Sequence, residues 1–92
     1  MISSEIQEHV NSFKAQIESK KEWVSQNEID QMTEFIYDAI EAEYSTRKEA
    51  ECDRTKRVAI IREKLQVEKE VQEMIAQIIS NECDKRNNSG RN

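Results

Sequence analysis

Proline is absent from this 92-residue chain and glycine occurs once, at Gly90. Sheets depend on tight turns, and tight turns draw on Gly, Pro or Asn-Gly pairs, so the shortage excludes a β-rich fold and points to helix. Cysteine occurs only at Cys52 and Cys83, too few and too far apart for a zinc or redox motif, and the pair reads as two free thiols in a reducing compartment. The single histidine, His9, leaves no His-Glu-x-x-His or paired Glu-x-x-His, and there is no glycine-rich phosphate loop. These absences set aside the metalloenzyme, di-iron and nucleotide-cradle classes and lead us to expect no enzyme activity, no cofactor and no metal. An exposed pair with Glu5, four residues away on a helix, is the plainest reading of His9. No apolar run approaches the length of a membrane span, and the start Met1-Ile2-Ser3-Ser4-Glu5 lacks the basic and apolar regions of a signal peptide. The expectation is a cytoplasmic protein with no membrane partner.

Charge is plentiful but unevenly placed. Between Glu22 and Thr46 there is no Lys or Arg, while Glu28, Asp30, Glu34, Asp38, Glu41 and Glu43 all fall there. Residues 1–45 hold ten acids against three lysines, a balance of −7, and residues 46–92 hold eleven bases against nine acids, or +2. Such a sign difference favours fold-back of the chain or head-to-tail association, and it argues against direct nucleic-acid binding. Asp30, Glu34, Asp38 and Glu41 recur at steps of four, four and three, which stacks them on one stripe of a helix. Like charges so spaced cost a helix a few tenths of a kcal/mol per pair, so helix stability does not explain them. The stripe is either a solvated face or a contact surface.

The apolar residues carry helical periods. Ile6, Val10, Phe13 and Ile17 form a narrow seam, and Ser3 or Ser4 can cap the helix that bears it, giving a first helix over about residues 4–21. Lys20 and Lys21 suit its C-terminal end. Ser25 and Glu28 form a capping box, and Val24 and Ile29 a hydrophobic staple around it, so a second helix starts at Ser25. Its face of Ile29, Met32, Phe35, Ile36 and Ile40 is wide enough for two packing neighbours. Residues 45–57 hold nothing apolar larger than Ala and Cys and cannot build core. Nothing in them breaks a helix, so we expect helices over 25–45 and 46–83 that are continuous or at most kinked. The other possibility is a reversal at Ser45-Thr46, with Thr46 and Glu49 as capping box. The continuous form would be a rod about 90 Å long. Ile61, Leu65, Val71, Ile75 and Ile78 mark the apolar side of the last segment. Residues 84–92 have no apolar side chain and read as a disordered tail.

The expected fold is therefore all-α: two to three amphipathic helices in one domain over residues 1–83, arranged as a helical hairpin or coiled-coil-like oligomer with a long C-terminal helical segment. A chain this short buries only roughly 60–65% of its unfolded surface, which favours a homodimer or higher oligomer. The ten residues of the two wide faces, Ile29 to Ile40 and Ile61 to Ile78 as named above, are the candidate interface. Function is expected to be non-enzymatic, as an adaptor or regulator that binds another protein. A second reading takes Asp30, Glu34, Asp38 and Glu41 as a mimic of nucleic acid, since carboxylates four apart rise by about 6 Å, comparable with phosphate spacing. On that reading the chain inhibits a basic nucleic-acid-binding protein. A third takes an exposed Ile/Val/Met face as a chaperone-like clamp. In a further possibility, Arg47, Lys48, Arg54, Lys56 and Arg57 pair with the acidic stripe of a neighbouring subunit. Trp23, at the helix junction, is the aromatic best placed to anchor an interface.

Overall fold

The computed structural model describes residues 2–90 and contains three helices, α1 (Ser4–Ser19), α2 (Gln26–Ala50) and α3 (Arg54–Gly90), with no strand among the described residues. The fold is all-α, as the composition requires. The helices run up, down and up in a body of 60 × 20 × 16 Å. Its long dimension is set by α3, whose 37 residues span about 55 Å.

Local chemistry places each start. The Ser3 hydroxyl accepts from the Ile6 amide at 3.3 Å and caps α1, and the Ser25 hydroxyl accepts from the Glu28 amide at 3.2 Å and caps α2. Val24 and Ile29, on either side of that cap, are both buried, which is where a staple puts them. The bounds of α1 and the start of α2 fall within two residues of those expected, and the α2–α3 junction and the end of α3 do not.

That junction overturns the continuous rod. The α2 helix passes through Ser45 and Thr46, where the Thr46 hydroxyl donates to the Ala42 carbonyl at 2.9 Å, and it stops at Ala50. The chain then reverses over Glu51, Cys52 and Asp53. The Asp53 amide donates to Glu51 Oε1 at 3.0 Å, and Asp53 Oδ1 accepts from the amides of Thr55 and Lys56 at 2.8 and 3.3 Å. Asp53 is thus the cap of α3, and a carboxylate at a helix start is favoured over the Thr46 hydroxyl that the alternative reversal would have used. Reversal also brings Ile36, Ile40 and Tyr44 of α2 into one buried cluster with Val67, Val71 and Ile75 of α3. Each such side chain contributes about 1.5–3 kcal/mol on burial, a gain that a straight rod would forgo.

The seam Ile6, Val10, Phe13 and Ile17 of α1 is fully buried and completes the core. At 16 residues α1 covers less than half the length of α3. It lies along the end of the hairpin remote from the turn, with His9 beside Phe35, and Lys14 and Glu18 beside Ile78, Asn81 and Glu82. The turn end of the hairpin is two helices thick.

The tail reading also needs correction. The α3 helix continues past Cys83 to Gly90, and Arg86 gives the reason. Its guanidinium donates to Glu82 Oε1 at 3.0 Å and to the carbonyls of Lys20 and Lys21 at 2.7 and 3.0 Å, and it lies over the Trp23 ring at 5.5 Å from the centroid. The last turn of α3 therefore holds the α1–α2 connection. The favourable positive charge at the end of α1 comes from Arg86, with Lys20 and Lys21 supplying backbone acceptors. Residues 91 and 92 of the expected tail lie outside the described residues.

Candidate functional surfaces

The four stripe carboxylates do not have a common environment. Asp30 is exposed and accepts from the Gln26 side chain at 2.9 Å, while Glu34 and Asp38 are exposed with no hydrogen-bond or ion-pair partner among the described residues. Glu41 is different: the Lys64 ammonium of α3 pairs with it, and the Ser45 hydroxyl donates to it at 3.2 Å. Those bonds, that from Lys64 foremost, hold the Glu41 carboxyl below its ordinary value, and the Lys64 ammonium is held above its own by Glu41. One turn on, Arg47 pairs with Glu63 at 3.0 Å and stacks over the Tyr44 ring at 4.8 Å. Two of the bonds that a neighbouring subunit could have supplied are thus made within the chain, because the hairpin sets α3 antiparallel to α2.

The ten candidate interface residues divide into three groups. Ile29, Ile36, Ile40, Val71 and Ile75 are buried in the chain's own core, so they have no surface for a second copy. Met32 and Ile78 are half-buried against that core. Only Phe35, Ile61 and Leu65 stand out, at 62%, 44% and 62% exposure. The division follows from the fold-back, which uses the wide faces inside the molecule. Val58, 43% exposed, joins Ile61 and Leu65 and was not singled out from the sequence. Its spacing, three residues before Ile61 and seven before Leu65, was the available signal.

Two concavities flank α2. The first, about 310 Å³, lies between α1 and α2 and is lined by His9, Ser12, Phe13, Gln16, Gln31, Met32, Phe35 and Ile36. His9 is half-buried here and meets the Phe35 ring edge-on, 5.2 Å between centroids, so its neighbour is aromatic where the sequence suggested Glu5. The second, about 200 Å³, lies between α2 and α3, with Glu41, Ser45, Lys48 and Lys64 facing Ile61 and Leu65. The first lies at the lower end of the 300–1,000 Å³ of typical small-molecule sites and the second below it.

Trp23 is 39% exposed, but its face is covered by Arg86. The Tyr37 and Tyr44 hydroxyls are raised above the ordinary tyrosine value, first by burial and then by the nearby carboxylates of Glu68 and Glu63 respectively. Among the described residues no three His, Cys, Asp or Glu side chains converge as a metal site, and no helix is long and apolar enough to cross a membrane. Comparison with known protein families, with curated proteins and with solved structures finds no match to this chain.

Proposed function

We propose that the chain is a non-enzymatic adaptor or regulator that binds another protein in the groove between α1 and α2, with Phe35 as the anchor. One observation carries this reading: a phenylalanine 62% exposed at the rim of an apolar groove, fixed edge-on against His9. Large aromatic side chains at the edge of a preformed groove are the usual centres of binding energy in protein interfaces. The cytosol, where Cys52 and Cys83 stay reduced, is the compartment that suits it.

A second reading is favoured by Asp30, Glu34 and Asp38, which are exposed without a cationic partner among the described residues. On that reading the stripe, shortened by the engagement of Glu41 with Lys64, occupies the basic site of a nucleic-acid-binding protein. Salt and mutation separate the two. The immobilised chain is tested for capture of a partner from its source cells at about 0.1 and about 0.5 M salt, conditions between which exposed charge pairs lose most of their reach. Under the adaptor reading F35D loses the partner, while E34K/D38K keeps it at both salts. Loss with E34K/D38K and with salt, and retention with F35D, would replace it by the inhibitor.

A further inference from the structure

The α3 helix carries two seams where a single hairpin needs one. Ile60, Val67 and Met74, seven residues apart, face the core, as do Val71 and Ile78. A second heptad column, Val58, Leu65, Gln72 and Ile79, runs beside it with Ile61 between. Within this column Val58 and Leu65 are exposed, and Ile79 is half-buried with one side against the core. The α1 helix does not reach the turn end, so among the described residues Val58, Ile61 and Leu65 stay largely exposed there.

Charge indicates what covers them. Residues 47–62, at the turn end, hold six bases against three acids, and of those bases only Arg47 is in an ion pair among the described residues. Residues 26–41, toward the other end, hold five acids and no base. A copy laid alongside in the same direction sets base on base and acid on acid. A copy laid in the opposite direction sets each basic end over an acidic end, which favours encounter and fixes orientation. The same inversion matches the seam: with its two-fold axis between residues 68 and 69, Val58 faces Ile79 and Leu65 faces Gln72 of the second copy. A body 60 Å long and 20 Å wide has a flank large enough for the roughly 800 Å² per partner that a stable interface uses.

We infer that the outer seam of α3 is the interface of an antiparallel homodimer, closed by a two-fold axis. The interface rests on residues other than the groove of Phe35, so the two readings fail separately. The purified chain is run in sedimentation equilibrium, and the orientation is read from its own cysteines. Cys52 is exposed at the turn and Cys83 is half-buried near the other end, about 45 Å away along α3, so a short bismaleimide can join Cys52 to Cys83 only between antiparallel copies. The expected results are a species of twice 10.8 kDa, cross-linked peptides joining Cys52 to Cys83, and an association that F35D does not weaken. I61E/L65E changes two exposed side chains, so helix content stays the same while dimer affinity falls roughly a hundredfold or more. A monomeric wild type, a dimer indifferent to I61E/L65E, or cross-links joining Cys52 to Cys52 would overturn the inference, whatever F35D does to partner capture.

Discussion

Removing Arg86 tests how α1 is held to the rest of the molecule. In R86A, Glu82, whose side chain is only 8% exposed, loses its cation, and the Lys20 and Lys21 carbonyls lose donors. The carbonyls belong to exposed residues and turn to water, so their loss costs little. Glu82 has less recourse. Breaking a buried ion pair costs about 3–5 kcal/mol, and the 24% exposure of Arg86 discounts that to about 2 kcal/mol, the range of a hydrogen bond to a charged group. A chain of this size has only about 5–14 kcal/mol of stability, so the loss is a large share. Urea unfolding followed by circular dichroism and by Trp23 fluorescence measures it. R86A is expected to lower the midpoint in both signals, with the Trp23 signal moving first because Arg86 lies on the indole. E82Q/R86A should recover part of the loss by removing the stranded charge. An R86A variant within about 0.5 kcal/mol of wild type, the range of an ordinary surface substitution, would refute the reasoning.

Three further outcomes follow from the fold. Ile40→Ala, at a fully buried position, should cost about 2–5 kcal/mol and lower the midpoint of a thermal melt by roughly 10 °C or more, whereas Val58→Ala should change little unless the dimer forms. Asp53→Ala removes the cap of α3 and should cost about 1 kcal/mol in the same assay; a neutral result would mean that the turn is held otherwise. Glu41 is lowered below its ordinary 4.5 in the folded chain, so the stability it adds is present above that value and is lost as pH falls through its folded one. Lys64, raised above 10.5, adds stability below that value, and this is lost as pH rises through its own folded one. E41Q should flatten the acid limb of a stability–pH curve, and an unchanged limb would show that the pair does not form in solution.

Much of the fold was legible because it rests on local signals. Ser25 with Glu28, and Val24 with Ile29, mark a helix start whatever the rest of the chain does. The seam of Ile6, Val10, Phe13 and Ile17 repeats at a period that only a packed helix explains. The reversal at Glu51-Cys52-Asp53 was not legible, since its segment contains no Gly, Pro or Asn and each residue tolerates helix. Tertiary burial of Ile36, Ile40 and Tyr44 against Val67 and Val71 decides it, and that energy is non-local. The functional surfaces follow the same division. The acidic stripe was visible in the spacing, but the removal of Glu41 from it by Lys64, 23 residues away, depended on the reversal. The same holds for the exposure of Phe35 and Leu65: both sat on apolar faces read as whole, and only the position of α1 separates what is covered from what is left open.

The most direct test of the account places a photo-cross-linking phenylalanine analogue at position 35 in one variant and at position 38 in another, and irradiates each in the cells from which the chain comes. A single foreign protein is expected to be joined from position 35 and none from position 38, at low and at high salt. A protein joined from position 38 in low salt alone, with nothing joined from position 35, would contradict it.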